Sequence, residues 1–553
     1  MSVDDMIKPA DRYSESTIAA FRAAGHWRDG ALAERLEHWA GQQPDRVAVS
    51  DGYHQLTWAQ LRDQAWRLAG RLRGLGVEAG DRVQVQLPSW HEFVVIYGAL
   101  ARLGAVLVPT MPIYRWDEVR YAINHAGAKV SIVCGEYRKF DYLAMIREVR
   151  PDCGTLQHVI TVRAEAGDDS VEGETRFEDL VGGTEVPEPA ALGPLPAADD
   201  PHAIIYTSGT ESRPKGCYHT FNTFSYTVHM LGGDVMGLNP DDVMFMPSPI
   251  THATGLAMGV TTPIVLGCGM HLMDTWAADA ALDRLREHRC TASMAATPFV
   301  QMLVDAYRPD QHDLSSLRIW ASAGAPIPET LLGQWRDVLP SCALLPVYGR
   351  SEGLLVTSCR PDDPAAKVLG SDGRPLDGVH LEIKDDDGKE QPAGEEGEIC
   401  HGGPGLMLGY WRDPERTAQA IEPNGLSHSG DLGRVDEDGY LRVTGRIKDL
   451  IIRGGTNISA REVEEHLLTH PKVASVAVVG MPDRVLGERA CAFVVATDAA
   501  APPSFEELTS YLRHERQIAV VKLPERLELI DELPMTATGK VQKFALRAKL
   551  ATE

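Results

Sequence analysis

The chain alternates between stretches with helical spacing of apolar residues and stretches with strand-like spacing. Apolar side chains in residues 61–75 recur every three or four positions, which predicts an amphipathic helix that ends near Gly76. Val83, Val85 and Leu87 then alternate with polar residues and predict a strand. Further strands are predicted at 130–133, 203–206 and 343–347, with a helix at 278–287. This alternation of helices and buried strands is typical of a layered α/β domain.

A second, smaller α/β pattern begins near Gly445. The sequence beyond it predicts a helix at 460–469 and strands at 473–479 and 490–495. Ser504 and Glu507 have the spacing of a capping box, which predicts the start of another helix. We therefore expect an α/β protein with a large N-terminal domain of layered α/β subdomains, residues 1–445, and a small C-terminal α/β domain, residues 446–553. At about 100 residues, the second domain is large enough to fold by itself.

Composition narrows the classes of partner. The chain has 553 residues, too many for one hydrophobic core, and carries 54 basic against 78 acidic residues, a net charge of −24. Such a charge disfavours nucleic acids and anionic membranes as partners. The acidic N-terminal stretch MSVDDMIKPADRYSES does not resemble a secretory signal, and no apolar stretch is long enough to span a membrane. Nine scattered cysteines without a CxxC pair predict a reducing cytoplasm and argue against a structural zinc site.

The loop YTSGTESRPKG at residues 206–216 follows a predicted buried strand. A glycine-rich turn in this place exposes backbone N–H groups that can hold phosphate oxygens, and its hydroxyls and lysine add donors. The loop differs from the Walker pattern because Lys215 precedes Gly216. By composition alone, an ordinary surface turn is the alternative interpretation.

Five motifs occur in a fixed order between residues 206 and 540, preceded by LTW at 56–58 and ARLGA at 101–105. They are the loop at 206–216, YGRSEG at 348–353, HSGDL at 428–432, GRIKD at 445–449 and PMTATGK at 534–540. Together they resemble the adenylate-forming enzymes, which include acyl-CoA synthetases, nonribosomal peptide adenylation domains and firefly luciferase. The context of the loop is most similar to ligases of small or medium acids, of the cyclohexanecarboxylate–CoA ligase type. The resemblance implies that a carboxylate attacks the α-phosphate of MgATP to give an acyl-adenylate and pyrophosphate, and that a thiol then displaces AMP.

The resemblance also implies roles for individual residues. Lys540 would bridge the attacking carboxylate and the α-phosphate, Glu352 would hold Mg²⁺, and His252 would stand beside the substrate carboxylate. Tyr348 would lie on the adenine, while Asp431 and Arg446 would contact the ribose. The implied nucleotide-binding residues are Thr207, Ser208, Gly209, Thr210, Lys215, Gly324, Ala325, Pro326, Tyr348, Gly349, Ser351, Asp431 and Arg446. Each has an ordinary alternative, such as a solvated surface lysine for Lys540 or a core tyrosine for Tyr348.

The same resemblance implies an acyl pocket and a moving domain. The implied pocket residues are His252, Gly255, Phe299, Ala323, Gly324 and Arg350. Between the two reactions, the mobile C-terminal domain would rotate about Lys448 and withdraw Lys540. Its other side, with Gly454 and Gly455, would then receive the pantetheine arm of coenzyme A.

Three positions depart from the common pattern of these enzymes. Arg350 stands where relatives often have an apolar residue; its guanidinium could meet a polar group of the substrate, which would disfavour a long fatty acid, or it could turn away and pair with an acid such as Glu352. Glu211 lies near the phosphate site and either points outward or meets a cation such as Arg213. Pro346 replaces an amide side chain, so a backbone carbonyl would have to face the adenine.

The favoured function is an AMP-forming acid:CoA ligase that uses ATP, Mg²⁺ and coenzyme A on a small carboxylic acid. One alternative is a stand-alone adenylating enzyme that loads a carrier protein, and another adenylates an unusual acid such as nitrite. A nucleotide-binding protein without acyl transfer is the alternative from a different class. A homodimer is compatible with all of these, and the sequence does not name the acid.

Overall fold

The computed structural model describes residues 6–164, 172–207, 213–324, 327–454, 456–536 and 540–551. The fold is mixed α/β. A large N-terminal domain is built on two extended sheets, and a smaller C-terminal domain has a five-stranded sheet of its own. The fold class predicted from the sequence is therefore confirmed. None of the helices in these ranges has the length and apolar character needed to cross a membrane.

The first extended sheet has nine strands, with a parallel centre and antiparallel edges. In spatial order its strands are Arg374–Pro375, Leu354–Ser358, Ala343–Arg350, Ile319–Ala323, Ala292–Ala295, Val243–Met246, Gly269–Leu272, Val47–Ser50 and Gln55–Thr57. Its central strands are almost wholly buried, as parallel strands covered on both faces must be. The strand predicted at 343–347 is confirmed and extends to Arg350, which brings the second motif to the end of a strand.

The second extended sheet has eight strands and contains the first motif. In spatial order its strands are Gly409–Tyr410, Lys215–Thr220, Pro201–Thr207, Val106–Pro109, Arg82–Gln86, Val130–Cys134, His158–Val162 and Glu174–Arg176. Pro201–Thr207 and Lys215–Thr220 form an antiparallel hairpin in which Thr207 is opposite Lys215. The predicted phosphate loop is the connection of this hairpin.

Helices cover both extended sheets. In the described part of the N-terminal domain, the α-helices of eight or more residues are Glu15–Ala23, Leu32–Gln42, Trp58–Gly74, His91–Leu103, Trp116–Ala126, Tyr142–Val149, Ala278–Glu287, Thr297–Ala306 and Glu329–Val338. Every residue of His91–Leu103 is buried, because this helix contacts strands of both sheets. The predicted helices at 61–75 and 278–287 correspond to Trp58–Gly74 and Ala278–Glu287.

Two further sheets follow along the chain. Four antiparallel strands, His380–Lys384, Gly397–Gly402, Ser427–Val435 and Leu441–Arg446, lead through a short turn at Ile447–Asp449 into the C-terminal domain. The sheet of that domain contains Thr456–Ser459, Leu450–Arg453, Gly487–Ala496, Val473–Asp483 and Arg526–Leu529. Helices Ala460–Leu467 and Lys543–Ala551 both contact Val473–Asp483, and the buried apolar residues of the domain form two separate clusters. This domain therefore has a hydrophobic core of its own.

The capping box predicted at Ser504 is confirmed and supports a prediction about stability. Ser504 Oγ accepts a hydrogen bond from the backbone N–H of Glu507 at 3.1 Å, at the start of helix Phe505–Ser510. We expect Ser504→Ala to lower the stability of the C-terminal domain by about 1 kcal/mol, because the amide loses its acceptor. Hydrogen exchange of the amides around buried Leu508 and Leu512 measures this loss. Ser504→Thr keeps a capping hydroxyl, so an equal loss in both variants would contradict the assignment.

Candidate active site

The phosphate loop is held at its base by a helix that the sequence did not connect with it. Ser208, Gly209, Thr210 and Glu211 lie outside the described residues, but their flanks are described. Tyr206 Oη lies 2.8 Å from His125 Nδ1, and Tyr121 Oη donates to the carbonyl of Pro214 at 3.0 Å. Both partners belong to helix Trp116–Ala126. The two ends of the loop are therefore fixed from the same side.

Cations flank the described ends of this loop. Lys215 Nζ lies 4.8 Å from the centre of the Tyr410 ring, a distance typical of a cation–π contact. Thr207 Oγ1 donates weakly to the carbonyl of Lys215 at 3.5 Å. Arg213, considered as a partner for Glu211, pairs with Asp117 at 3.1 Å. The hairpin thus brings Lys215 to the edge of the site.

Glu352 is a buried carboxylate with defined partners. Tyr410 Oη donates to its Oε1 at 2.8 Å, and its backbone carbonyl accepts from Met407 N at 2.7 Å. Burial by itself would raise the pKa of Glu352, but the guanidinium of Arg350 and the hydrogen bonds that the carboxylate accepts, including the one from Tyr410, lower it to about 2. An ionised carboxylate oxygen is the ligand type that Mg²⁺ prefers, so Glu352 fits the role predicted for it.

Arg350 is turned toward Glu352. Its Nη2 lies 3.0 Å from Glu352 Oε1, and its Nε donates to Oε2 at 3.1 Å. Its Nη1 donates to the carbonyl of His428 at 2.6 Å and to Ser427 Oγ at 3.3 Å. Of the two orientations considered for this residue, the structure has the one in which it pairs with Glu352.

Glycine at position 349 makes this arrangement possible. A side-chain carbon there would lie 2.0 Å from the carbonyl oxygen of Leu354, and the register between the two strands shifts between Tyr348 and Gly349. Such a bulge turns the following side chains to new directions. Next along the chain, the carbonyl of Ser351 accepts from Nε2 of the buried His219 at 2.9 Å.

Tyr348, Asp431 and Arg446 form a connected group. The Tyr348 hydroxyl donates to Asp431 Oδ2 at 2.8 Å, and Arg446 Nε lies 2.9 Å from Asp431 Oδ1. The Tyr348 ring is buried with apolar residues of the four-stranded sheet. Burial and the neighbouring carboxylate raise the pKa of Tyr348, so it remains a neutral donor at neutral pH. These three predicted nucleotide-binding residues come together from three strands.

Lys540 reaches this group from the C-terminal domain. A side-chain carbon built on Gly324 would lie 3.3 Å from Lys540 Cε, and Gly324 has a positive φ of 91°. Burial and the nearby Arg446 lower the pKa of Lys540 to about 8, although Asp431 and Glu352 act in the opposite direction. Its backbone is held in a turn, since Lys540 N donates to Thr536 Oγ1 at 3.0 Å. Ala325 and Pro326 lie outside the described residues.

A cavity of about 1530 Å³ opens between the two domains at this point. Its wall includes Gly324, Tyr348, Gly349, Asp431, Arg446, Lys448 and Lys540. The volume exceeds the roughly 300–1,000 Å³ of most small-molecule sites. In the described part of the chain, Glu352 and His252 are not in this wall, although both are close enough to interact electrostatically with Lys540.

His252 is the predicted gate of the acyl pocket. Burial, and secondarily the positive charge of Lys540, lower the pKa of His252 to about 4. The ring is therefore neutral near pH 7, and its Nδ1 accepts from Thr254 N at 3.4 Å. Gly255 lies against the same segment, since a side-chain carbon there would be 2.1 Å from the carbonyl oxygen of Pro249. A neutral imidazole can orient a carboxylate by hydrogen bonding.

The remaining predicted pocket residues are distributed around the site. Phe299 is buried and packs edge-to-face on Trp276, with 4.8 Å between the ring centres. Ala323 is the last residue of its strand and pairs with Val347. Among the described residues predicted for the acyl pocket, only Gly324 lines the cavity between the domains. The carbonyl of Pro346 accepts from Cys359 N at 2.9 Å and so belongs to the sheet.

The predicted hinge and coenzyme A residues lie on the C-terminal side. Lys448 is in the turn Ile447–Asp449 between the four-stranded sheet and the C-terminal sheet, and its carbonyl accepts from Arg547 at 3.4 Å. Gly454 has a positive φ of 56° and donates its N–H to the carbonyl of Leu486 at 2.7 Å. Gly455 lies outside the described residues. The roles of Lys448, Gly454 and Gly455 stay predictions.

Comparison with known proteins assigns the family. A model of the AMP-binding enzyme family matches residues 36–411, and a model of the AMP-binding enzyme C-terminal domain matches residues 462–540. The chain belongs to the AMP-binding enzyme family. The resemblance predicted from the five motifs is thereby confirmed.

Three proteins that are similar to this chain differ in the acid that they use. The chain is 36% identical to a medium-chain fatty-acid–CoA ligase of Escherichia coli strain K12, over 97% of this chain and 93% of that protein. It is 32% identical to a 2,3-dihydroxybenzoate-AMP ligase of Bacillus subtilis strain 168, over 99% and 98%. The crystal structure of the anthranilate CoA ligase AuaEII with anthranoyl-AMP matches with a TM-score of 0.84 and 26% identity, over 100% and 99%.

The lowered pKa of Lys540 predicts unusual amine reactivity. Only the neutral amine reacts with acetic anhydride, so acylation of Lys540 should be half-maximal near its pKa of about 8. N-acetyl-lysine amide in the same tube, with a pKa of about 10.4, is the reference. Mass spectrometry of the peptide that contains Lys540, across a series of pH values, measures the titration. A Lys540 that titrates with the reference would show that the amine is solvated.

Proposed function

We propose that this protein is an AMP-forming acid:CoA ligase, which joins a carboxylic acid to the α-phosphate of ATP and then transfers the acyl group to coenzyme A. The observation that carries the proposal is the position of Lys540, which reaches from the C-terminal domain into the cleft beside Gly324. The 36% identity to a medium-chain fatty-acid–CoA ligase over nearly the whole chain supports the same activity.

The first step needs positive charge where two anions meet. Lys540 would supply it, because its side chain reaches from the small domain to Gly324 at the wall of the cleft. Tyr348, Asp431 and Arg446 would hold the adenosine, with the Asp431 carboxylate as acceptor for the ribose hydroxyls. His252 would orient the substrate carboxylate as a neutral hydrogen-bonding group. Glu352 is the residue that would hold Mg²⁺, and the bound ion would neutralise phosphate charge.

The second step needs a different face of the C-terminal domain. Lys448 lies in the short turn that joins this domain to the rest of the chain, which is where a rotation would be absorbed. Rotation there would withdraw Lys540 and bring Gly454 and Gly455 toward the acyl-adenylate. Small residues at those positions would leave space for a pantetheine arm.

The acid we propose is medium-chain or aromatic. The relatives named above are a medium-chain fatty-acid ligase, a dihydroxybenzoate ligase and an anthranilate ligase. In this structure Arg350 pairs with Glu352 and with the strand that begins at Ser427, so its guanidinium is not directed at a second polar group on the acid. A carrier protein in place of coenzyme A is the second candidate, favoured by the similarity to an AMP ligase whose name includes no CoA.

Substrate and acceptor can be determined in two linked assays. Pyrophosphate release over a panel of medium-chain, alicyclic and aromatic acids identifies the acid. Coenzyme A and a pantetheinylated carrier protein are then offered side by side, and mass spectrometry detects the thioester. AMP and pyrophosphate as products support the proposal, whereas ADP and phosphate would overturn it.

Replacing Lys540 separates the two steps. We expect Lys540→Ala to slow pyrophosphate release by about 100- to 1,000-fold, because a preorganised positive charge is lost from the transition state. Thioester formation from pre-made acyl-adenylate should stay within about threefold of wild type, since the lysine has left by then. Lys522→Ala is the matched control, because Lys522 pairs with Glu462 within the same domain at 2.7 Å and is not in the cavity wall. Equal damage to both steps would contradict a rotating domain.

A further inference from the structure

Arg350 contacts both oxygens of the carboxylate that is proposed to hold the divalent cation. Its Nε and Nη2 lie 3.1 and 3.0 Å from the two carboxylate oxygens. We propose that Arg350 is a positioning residue that neutralises Glu352 when no metal is bound and gives way to the divalent cation when MgATP binds. This inference rests on the proposed function, because it assumes that Glu352 is the metal ligand.

Glu352 is the fixed partner in this pair. Tyr410 donates to its carboxylate at 2.8 Å and Met407 N to its carbonyl at 2.7 Å. The next residue is equally confined, since a side-chain carbon on Gly353 would lie 2.3 Å from Cε1 of the buried His401. These contacts hold the Glu352 carboxylate in place, so the exchange we propose is a movement of the arginine.

Two hydrogen bonds of Arg350 do not involve Glu352 and would persist during the exchange. Its Nη1 donates to the carbonyl of His428 and to Ser427 Oγ, both on strand Ser427–Val435. The side chain of His428 is itself held between Glu398 at 2.8 Å and Glu422 at 3.0 Å. A small rotation of the guanidinium could release Glu352 while these contacts to the strand that carries Asp431 persist.

Electrostatics makes the two states exclusive. The side chains of Arg350 and Glu352 are only 13% and 10% exposed, so a guanidinium and a divalent cation at the same carboxylate would repel strongly. Removing the arginine without replacement would leave a buried, uncompensated anion, which is costly. The exchange keeps a cationic partner on Glu352 in both states, while Arg350 would retain its hydrogen bonds to Ser427 and His428.

The other use considered for Arg350, recognition of a polar group on the acid, has no support in this geometry. Each of its three side-chain nitrogens lies within 3.3 Å of a protein oxygen. A substrate would have to compete with all of these partners. The divalent cation has to displace only the two contacts to Glu352.

Metal dependence of nucleotide binding tests the proposal. Two titrations are done on wild type, Arg350→Leu and Arg350→Lys. Calorimetry in EDTA measures the affinity for metal-free ATP. A titration with Mn²⁺ as a paramagnetic probe, in the presence of ATP, measures the affinity for the metal. In Arg350→Leu, the Mn²⁺ concentration for half-occupancy should fall about tenfold or more, because the competing cation is gone. The affinity of Arg350→Leu for metal-free ATP should fall below that of wild type. Arg350→Lys should lie between wild type and Arg350→Leu in both measurements. Arg147→Leu, which removes a 2.7 Å partner of the half-buried Glu174, is the matched control and should match wild type.

Each outcome discriminates between explanations. An unchanged or raised Mn²⁺ requirement in Arg350→Leu overturns the proposal, as does an equal loss of ATP affinity with and without metal, which would indicate a structural role. If Arg350→Leu does not fold, Arg350→Lys decides, and wild-type metal affinity in that variant overturns the proposal. Failure of wild-type protein to bind ATP under any condition would instead reject the proposed function.

Discussion

A desolvated lysine amine inside a cleft of carboxylates is the interaction on which the site depends. Lys540 is contributed by the small domain, while Asp431, Glu352 and Gly324 belong to the large one. Burial removes the hydration that stabilises the ammonium, and the attraction of the two carboxylates compensates for only part of that loss. The pKa of Lys540 is therefore lowered to about 8. An incoming anionic phosphate would complete the compensation, so the cleft is electrostatically prepared for a nucleotide.

Around this lysine, the charged groups are arranged in a chain that crosses between sheets. Lys215 on the eight-stranded sheet faces the ring of Tyr410, and Tyr410 donates to Glu352 just beyond the nine-stranded sheet. Arg350 continues the chain to the backbone of the four-stranded sheet at His428. Lys215, Glu352 and strand Ser427–Val435 are therefore joined by a continuous series of side-chain contacts.

Glycines decide how closely the parts of the site approach one another. Position 349 has no space for a side chain beside Leu354, and position 255 has none beside Pro249. The first allows the bulge that orients Arg350 and Glu352, and the second allows the segment with His252 to lie against its following helical turn. Both are packing constraints, and neither residue needs a chemical role to be essential to the site.

The sequence by itself determined the α/β class, the main strands and helices, the capping box at Ser504 and the family, because all of these depend on local periodicity or on short motifs in a fixed order. It also placed Tyr348, Asp431, Arg446 and Lys540 in one site through the resemblance. Only the tertiary structure decided the orientation of Arg350 and identified Tyr410, His219 and helix Trp116–Ala126 as supports. The orientation of Arg350 depends on Ser427 and His428, more than seventy positions along the chain, and most of the supporting contacts are as distant. No local pattern encodes such pairs, since each partner taken alone resembles an ordinary buried or surface residue.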